Sequence, residues 1–551
     1  MKNQVLKDGY KKSINFFRSD VHFQNYFRTF LKEEYETVKN DWEYTGAQAA
    51  TTMNRLSFLA DKYPPEIQKR TPLGETLEEI SFHPAYNALM EIAVHSKMFQ
   101  YKWNDALRYQ YSQNLHKIGF SLGYLYAMTE CGIYCPLCMT DGAARLIHQF
   151  GTSSHQSELL PHIGTNRVQD FYTGAMFLTE KPGGSDVGTN LVTAKKINGN
   201  LYALNGEKWF CSNANADIAF VLARTNPDIP GTKGLSLFLL RKNKSDGTPN
   251  YKELVRLKDK LGVRSMASAE IIFHDTEAEL IGEEFQGFKM MTEMINLSRL
   301  YNSVAAVAAH RRAIIEAWQH LSYRSLFGKD ALHHELIQED FFILSAEWLA
   351  DFAITFKAVH LLDLADNGNE LAQSLCRILI PICKFITADN AYKGIQKSME
   401  LMGGIGYIEE NTLPRLMRDA LVLPIWEGAG NIMFLDMYRA ATKSNALIHI
   451  FDFVRSQLSN FNQSQILTAF DKLILEFKKN LSMQPNLILI RKLFSQLISF
   501  VKIAVLTEHP DNQAFQMAVE YWAQKIIHHD TFAPNHNLSI SSVEKIVNWN
   551  F

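Results

Sequence analysis

The sequence predicts an α+β protein of several domains, because the spacing of its apolar residues changes twice along 551 residues. Near the N-terminus, segments such as YNALMEIAVHSKM carry apolar side chains three and four residues apart, which is the spacing of a helix. In the middle the period shortens to two and turn pairs recur, which indicates strands; helical spacing then returns. Because the chain is too long for one core, we expect four domains. They are a helical domain (1–172), a β domain (173–285), a second helical domain (286–441) and an extra helical domain (442–551).

Three segments of the predicted β domain suit tight turns. Asn198-Gly199 and Asn205-Gly206 are pairs typical of hairpins, and Asp246-Gly247-Thr248-Pro249 has the composition of a loop. We expect each of them to mark a turn.

The charge balance excludes some classes of partner. The chain has 56 basic and 58 acidic side chains and a formal net charge of −2, so it has no general attraction to nucleic acid or to an anionic membrane. No signal-peptide core and no uncharged apolar stretch long enough for a membrane span is evident in the sequence. We therefore expect a cytoplasmic protein without an integral membrane span.

Six cysteines do not make a disulfide framework, and they suit a reducing compartment. Cys131, Cys135 and Cys138 form a local cluster, but no second CxxC and no histidine pair accompanies it. Buried free thiols are therefore favoured over a metal site. His310, beside two arginines, is expected on a solvated helical turn.

The stretch from Glu400 to Asn431 is the most informative part of the chain. Gly403, Gly404 and Gly406 remove three Cβ atoms, which lets backbone N–H groups approach a ligand such as a pyrophosphate, although glycine clusters more often cap helices. A helix with Arg415, Arg418 and Asp419 follows, and the apolar run LVLPIW then leads to Glu427. The order of these features points to a flavin enzyme.

This block resembles the C-terminal signature of the acyl-CoA dehydrogenase family. In that family the Glu of the WEG or YEG segment is the catalytic base, so the resemblance places the base at Glu427. A carboxylate among apolar side chains is desolvated when an acyl chain enters, which raises its pKa and makes it a better proton acceptor. The alternative interpretation is a carboxylate that only stabilises the start of the following helix through the macrodipole.

Two further blocks resemble the family's flavin-binding segments. They are MFLTEKPGGSD, which begins at Met176, and GEKWFCSNANADIAFVLART, in which Phe210 would pack on the isoalloxazine and Ser212 would hydrogen-bond near its reactive nitrogen. YRSLFGK resembles the family's RxxFG turn, whose arginine reaches the FAD of a neighbouring subunit. The resemblance implies an FAD site formed by Met176, Leu178, Thr179, Gly184, Ser185, Phe210, Cys211, Ser212, Arg324, Glu400, Gly403, Gly404, Trp426, Gly428 and Asn431.

The resemblance also implies a fold, a reaction and partners. The fold is an N-terminal helical domain, a middle β-barrel and a C-terminal four-helix bundle. The reaction is removal of the α-proton of an acyl-CoA by Glu427 with transfer of the β-hydride to the flavin N5, as in fatty acid metabolism, although an oxidase of the same fold stays open. The implied partners are an acyl-CoA, an electron-transferring flavoprotein and further copies of the chain in a dimer of dimers; no metal is implied.

The extra domain resembles that of the bacterial alkylation-response (AidB) branch, whose members bind FAD, show weak dehydrogenase activity and are thought to bind DNA through a basic C-terminal domain. The resemblance therefore leaves open an alternative function, that of a DNA-associated alkylation-response flavoprotein with weak dehydrogenase activity. From Thr442 onward, however, the chain has ten Lys and Arg and eight Asp and Glu, a surplus of only two basic residues. That is a poor footprint for phosphate binding, so DNA is a weakly supported partner. We expect the apolar helix within residues 486–506 to pack between subunits.

Overall fold

The computed structural model describes residues 14–459, 464–482, 485–528 and 539–550. The chain divides into two compact units, a β unit over residues 51–301 and a helical unit that joins 14–50 with 302–550. The order helical, β, helical, with extra helices at the end, is as predicted. Residues 14–50, however, belong to the same compact unit as the C-terminal helices.

The N-terminal segment is fixed to the helical unit by a buried ion pair. Asp20 accepts a hydrogen bond of 2.9 Å from Arg311, and both side chains are fully buried. The Arg311 guanidinium lies 4.3 Å from the ring centroid of Trp348, and the N–H of Asn550 donates to the carbonyl of Ser19 at 3.0 Å. The segment around Asp20 is therefore held both by Arg311 and by the residues near position 550. The segment contains α1 (Phe16–Ser19), α2 (Val21–Leu31) and α3 (Tyr35–Ala50).

The β unit begins with helices and one hairpin. Strands β1 (Glu66–Arg70) and β2 (Thr76–Ser81) pair antiparallel inside the region predicted to be wholly helical, so that prediction was wrong there. Both strands are short and mostly polar, and they are held by Ile67 and Ile80, which pack against the barrel core described below. The helices are α4 (Thr52–Lys62), α5 (Pro84–His95), α6 (Gln100–Trp103), α7 (Asp105–Gln110), α8 (Leu115–Ala127), α9 (Tyr134–Phe150) and α10 (Ser153–Ile163).

A buried carboxylate, Asp141 on α9, joins these helices. It pairs with Lys102 and accepts hydrogen bonds from Trp103 Nε1 at 2.7 Å and from Tyr301 Oη at 2.8 Å. Burial alone would raise the pKa of Asp141, but the Lys102 ammonium and these hydrogen bonds hold that pKa below its ordinary value.

We expect Asp141→Asn to lower the thermal midpoint by a few degrees at neutral pH, and the difference from wild type to shrink on acidification. The pKa of the Asp141 carboxyl is lower in the folded than in the unfolded protein, so this group stabilises the fold at pH values above its unfolded pKa. That stabilisation is lost as the pH falls through the folded pKa. Thermal melts of both proteins from pH 7 downward measure this. A difference that stays constant with pH would contradict it.

Seven strands form the barrel. Strands β6, β4, β5, β9 and β7 pair in that order, and β7 pairs back to β6, which closes the sheet. Strand β3 adds parallel to β6, and β8 adds antiparallel to β9. Buried Phe177, Leu204, Phe238 and Ile271 contribute to its core. The strands are β3 (Gly174–Phe177), β4 (Thr193–Asn198), β5 (Leu201–Ser212), β6 (Ile218–Arg224), β7 (Leu235–Arg241), β8 (Glu253–Leu257) and β9 (Ser268–Ile281).

The predicted turns are partly correct. Asn198-Gly199 joins β4 to β5, and Gly247 has a φ of +82° in the loop after β7. Asn205 and Gly206, in contrast, lie within β5, where the register with β9 shifts, and Gly206 has a φ of +125°. This pair forms a bulge and not a turn, because both flanking halves of β5 continue to pair with β9.

The helical unit packs its long helices side by side. Helix α12 packs against α13, which also packs against α14 and α15, and Trp348 on α12 donates to the carbonyl of Val307 on α11 at 2.9 Å. The elements are α11 (Gly287–Ser322), β10 (Ser325–Leu326), β11 (Lys329–Asp330), α12 (Glu335–Asp366), α13 (Glu370–Met402), α14 (Thr412–Ala420) and α15 (Gly430–Lys443). Among the described residues, one helix, spanning 370–407, is long and apolar enough to cross a membrane by composition, and 67% of its most apolar window is buried in the protein.

His310 corrects the prediction of a solvated histidine. Its side chain is 2% exposed, and its Nε2 lies 2.0 Å from the position that a Cβ on Gly394 would take. Burial lowers its pKa to about 4. The neighbouring arginines are buried as well, and Arg312 pairs with Glu316 at 2.7 Å. Helix α11 is buried on all sides in this region, so its polar residues do not mark a solvent-exposed face.

The extra C-terminal helices complete this unit. Helix α18 packs against α12, α16, α17 and α19 of the same chain, and its packing between subunits stays a prediction. Its Lys502 is buried against Asp351 of α12 at 2.7 Å. The helices are α16 (Ala446–Ser459), α17 (Ser464–Ser482), α18 (Leu487–Leu506), α19 (Gln513–Ile527) and α20 (Ile540–Val547).

Candidate functional site

On the β unit, the predicted turn after β3 is fixed by a buried ion pair that the sequence analysis did not identify. Lys208 Nζ lies 2.7 Å from Glu180 Oε1, and the two side chains are 0% and 3% exposed. Lys208 also donates to the carbonyl of Leu178 at 3.3 Å, and Glu180 accepts from the N–H of Leu191 at 2.5 Å. Burial lowers the pKa of Lys208, and the Glu180 carboxylate opposes that shift. The pair ties both ends of the turn to strand β5.

Arg224, at the end of β6, holds the outer part of the same turn. Its guanidinium donates to the carbonyls of Asn190 at 2.6 Å, Gly188 at 2.6 Å and Ile229 at 2.7 Å. The Asn190 amide in turn donates to the carbonyl of Leu178 at 2.7 Å. Residues 178–190 contain one short 3-10 helix (Val187–Thr189) and are held to the barrel by these side chains.

The paired glycines in this turn have different roles. A Cβ on Gly183 would lie 2.1 Å from Thr189 Oγ1 and 2.2 Å from the carbonyl oxygen of Asp186, so the turn requires glycine there. A Cβ on Gly184 would meet only Thr179, at 3.3 Å from its Cγ2. Gly184 and Ser185 are exposed, and Gly184 adjoins the Thr179 side chain, as a shared ligand site would require. Met176 is buried within β3.

We expect Gly183→Ala to destabilise the protein by about 1–3 kcal/mol, because the added methyl overlaps backbone that has no room to move. Gly184→Ala, one residue on, should cost clearly less. The measurement is the thermal midpoint of each variant against wild type. Equal effects of the two substitutions would contradict the assignment of the constrained position to Gly183.

Strand β5 presents the second predicted segment. The N–H of Trp209 donates to the carbonyl of Thr179 at 2.9 Å, so the two segments meet. Phe210 is 55% exposed, which is unusual for a large aromatic side chain on a barrel strand, and Ser212 is half-buried with its Oγ 3.0 Å from that of Ser268. Cys211 points into the barrel core, where burial raises the pKa of its thiol. Any contact of Cys211 with a ligand on the outside is therefore made by its backbone.

A lysine covers these aromatic rings on one side. Lys258 Nζ lies 3.3 Å from the ring centroid of Trp209 and 4.7 Å from that of Phe210. The ammonium is held there by Glu270 at 2.6 Å. A cation above an aromatic face is favourable and fixes the ring. The exposed area of Phe210 suits a second flat group stacked on it.

On the helical unit, the predicted base occupies a strained turn. Glu427 has a φ of +55° and Gly428 one of +100°, and glutamate is rarely found in this left-handed region. Glu427 is half-buried, two residues before the N-cap Ala429 of α15, so it does not lie in the first turn of that helix. The macrodipole interpretation is therefore poorly supported. Backbone strain of this kind is concentrated at functional sites.

The turn at Glu427 and Gly428 is anchored by helix α13. Lys384 Nζ donates to the carbonyl of Gly428 at 2.5 Å, and Lys384 is 1% exposed. A Cβ on Gly430 would lie 3.3 Å from Phe385, the next residue of α13. Lys384 was not predicted as a site residue. It could have been found in the sequence as the one charged residue in the apolar run ILIPICKFITA.

The predicted glycine turn lies at the far end of the same helix. Gly403 has a φ of +67°, and an ideal Cβ on Gly403 or Gly404 would have no atom within 4 Å. Glu400 is exposed one turn earlier. Phe385, beside the Glu427 turn, and Gly403 are eighteen residues apart, which is about 27 Å of helix at about 1.5 Å per residue. One copy of the chain therefore does not bring the glycine turn close to Glu427.

Arg324 precedes a short exposed hairpin. Strands β10 and β11 pair through a turn in which Phe327 has a φ of +50° and Gly328 one of +77°. Arg324 is exposed, and the Phe327 side chain is 100% exposed. The arginines of the helix after the glycine turn, in contrast, are paired: Arg415 with Asp419 of the same helix at 3.4 Å, and Arg418 with Glu409, which precedes the helix, at 2.6 Å.

Each of the two units, taken by itself, carries groups of the kind that bind a flavin. The indole N–H of Trp426 is buried and has no hydrogen-bond partner among the described residues, which leaves one donor for a ligand acceptor. Phe210 offers an exposed ring, and Thr179 and Ser212 offer hydroxyl groups. Asn431 is exposed, and its amide oxygen accepts from Arg491 at 3.3 Å. In the described ranges, no cluster of three or more His, Cys, Asp or Glu is suited to hold a metal ion.

Comparison with protein-family models gives three matches. Residues 286–442 match the C-terminal domain of acyl-CoA dehydrogenases, and residues 175–276 match the middle domain of the same enzymes. Residues 7–168 match the N-terminal domain of the adaptive response protein AidB.

Individual relatives are similar over most of their length. The putative acyl-CoA dehydrogenase AidB of Escherichia coli K12 is 32% identical over 407 residues, which is 72% of this chain and 73% of that protein. The structure of Caenorhabditis elegans ACDH-11 in complex with C11-CoA is 25% identical with a TM-score of 0.87, covering 97% of this chain and 94% of the other. The structure of Bd2924 in its apo form is 29% identical with a TM-score of 0.83, covering 94% and 99%.

Proposed function

The chain belongs to the acyl-CoA dehydrogenase family, and from that premise we propose that it oxidises an acyl-CoA to the 2-enoyl-CoA in an FAD-dependent reaction with Glu427 as the base. The observation that carries the proposal is the conformation of Glu427. A half-buried carboxylate at a φ of +55° is costly to maintain, and a catalytic role accounts for that cost.

Two hydrogens leave the substrate in this reaction. The Glu427 carboxylate takes the α-hydrogen as a proton, and FAD, when bound, accepts the β-hydrogen with its electron pair. The charge that develops on the thioester oxygen needs a donor in place beforehand, and we assign the backbone N–H of Glu427 to that role. The rigid turn of Glu427 and Gly428 suits it, because a fixed donor needs no reorganisation during the reaction.

The β unit would hold the flavin by stacking and hydrogen bonding. Phe210 would stack on the isoalloxazine through its exposed area, and Lys258 Nζ lies 4.7 Å from the centroid of the Phe210 ring. Thr179 and Ser212 supply hydroxyl groups, and the exposed Gly184 and Ser185 lie where a close backbone approach is open.

The distance along α13 favours a homo-oligomer. Gly403 and Gly404 lie too far from Glu427 to contact the reacting part of the same cofactor, at about 27 Å of helix. We propose that they, with Glu400 and Arg324, contact the FAD of a neighbouring copy in a tetramer. Reoxidation would fall to an electron-transferring flavoprotein, and the six cysteine thiols suit the reducing cytoplasm.

DNA binding is the less favoured function. Three of the cations in the extra helices are paired: Lys502 with Asp351, Lys525 with Glu347 and Arg455 with Asp471. With ten Lys and Arg against eight Asp and Glu from Thr442 onward, the surplus of two is small for neutralising several phosphates at once, which non-specific duplex binding requires.

Anaerobic titration of the purified yellow protein with straight and branched acyl-CoAs tests the proposed function. The panel should include C11-CoA, because the C. elegans relative was solved with it. We expect flavin absorbance to bleach with at least one acyl-CoA and the 2-enoyl-CoA to accumulate. Absence of bleaching with every acyl-CoA, together with salt-sensitive binding of duplex DNA, would favour DNA binding as the function. Peroxide formed in air at the rate of turnover would indicate an oxidase.

A further inference from the structure

We propose that Lys384 is a positioning residue for the reaction, whose buried ammonium group sets the geometry of the turn that carries Glu427. The inference rests on the proposed role of Glu427 as the base. Lys384 would not touch the substrate; it would act through the backbone of Gly428.

The contact itself is short and shielded from water. Lys384 Nζ donates to the carbonyl oxygen of Gly428 at 2.5 Å, and the side chain is 1% exposed. A hydrogen bond from an ionised donor is stronger than one between neutral groups, and exclusion of water strengthens it further. Burying an ammonium is costly, so an apolar side chain would be the simpler choice on this helix.

The acceptor lies in the part of the turn that most needs restraint. Glu427 and Gly428 both have positive φ, so the chain passes through the left-handed region twice in succession. For Glu427 this conformation costs energy, and it persists only where the surroundings impose it. The carbonyl that Lys384 holds belongs to the residue directly after Glu427, so a rotation there would redirect the Glu427 carboxylate.

Apolar contacts restrain the turn from other directions. A Cβ on Gly428 would lie 2.5 Å from Met433 Cε, and one on Gly430 would lie 3.3 Å from Phe385 Cε2. Before the turn, Asn302 donates to the carbonyl of Leu423 at 2.9 Å. These contacts place the segment, whereas Lys384 adds a directional bond at the peptide group between Gly428 and Ala429.

A positioning role and a purely structural role predict different results. A structural lysine, once replaced, lowers the thermal midpoint and leaves proton removal from bound ligand unchanged in the folded protein. A positioning lysine, once replaced, lowers the rate at saturating ligand while the dissociation constant stays nearly the same. A misplacement of about 1 Å in an active site can cost about 10²-fold in rate.

The test compares Lys384→Met, Lys384→Gln and Lys384→Arg with wild type, as FAD-loaded full-length proteins. Lys393→Met is the matched control, because Lys393 lies on the same helix with an exposed side chain. Single-turnover flavin reduction by an acyl-CoA gives the limiting rate and the dissociation constant. A 3-thiaacyl-CoA, which has no β-hydrogen to transfer, reports proton removal alone through its long-wavelength charge-transfer band.

We expect the limiting rate to fall in the order wild type, Arg, Gln and Met, reaching about 100-fold for Met, with dissociation constants within about threefold. The charge-transfer band should weaken in the same order, and Lys393→Met should match wild type. If Lys384→Met does not fold, the inference is tested by the order of the limiting rates of wild type, Lys384→Arg and Lys384→Gln. Equal limiting rates in all folded variants, with Glu427→Gln inactive, would overturn the inference and leave the proposed function intact. A Glu427→Gln variant that reduces its flavin normally would instead refute the proposed function.

Discussion

Replacing Glu427 with Gln is expected to slow flavin reduction by acyl-CoA by about 10²–10⁴-fold, the usual contribution of a general base. Glutamine has nearly the same shape, so the turn at a φ of +55° and its contacts should persist. The amide does not accept the α-proton, so the reaction loses its acceptor while the ligand still binds. Stopped-flow measurement of the absorbance decrease under anaerobic conditions gives the rate.

Glu410→Gln is a suitable control for this substitution. Glu410 is exposed in the segment between the glycine turn and α14, and it carries the same change of charge. Its rate of reduction should equal that of wild type. A Glu427 variant that retains wild-type rates would show that another group removes the proton.

Removing one member of the Glu180–Lys208 pair is expected to destabilise the β unit by about 3–5 kcal/mol. Either single substitution, Glu180→Gln or Lys208→Met, leaves one charge in a site where both side chains are at most 3% exposed. Glu180 also accepts from Leu191 N–H, and Lys208 donates to the Leu178 carbonyl. Loss of the ion pair should therefore also loosen the turn formed by residues 178–190. A lowered thermal midpoint and release of FAD during gel filtration are the expected signs.

A neighbouring ion pair on the same two segments provides the control. Lys181 lies 2.8 Å from Glu207, but these side chains are 56% and 27% exposed, and Lys181→Met should cost below about 1 kcal/mol. The double variant Glu180→Gln/Lys208→Met should be more stable than either single variant, because no uncompensated charge remains. Equal losses at the buried and exposed pairs would contradict this account.

Local patterns in the sequence predicted the elements whose signals are local. The hairpin at Asn198-Gly199 and the helix that carries Arg415 are present as expected, because turn residues and helical spacing act over a few positions. Asn205-Gly206 has the same composition and forms a bulge, since pairing with β9 continues on both sides of it. Tertiary pairing outweighed the turn propensity there.

The supports of the candidate site depend on contacts between distant residues. Glu180 and Lys208 are 28 positions apart, and Lys384 and Gly428 are 44 apart. Each lysine was visible in the sequence as a charge in a largely apolar segment, but its partner was not. The same limit applies to His310 and Arg311, whose burial depends on helices and an N-terminal segment that pack on them from elsewhere in the chain.

A single anaerobic turnover with an acyl-CoA that carries two deuterium atoms on its α-carbon tests the central claim most directly. The claim predicts bleaching of the flavin slowed by the isotope and a 2-enoyl-CoA that retains one α-deuterium, with neither event in Glu427→Gln. Flavin that stays oxidised in the wild-type protein with every acyl-CoA offered, or an enoyl-CoA formed at the same rate by the Glu427 variant, would contradict it.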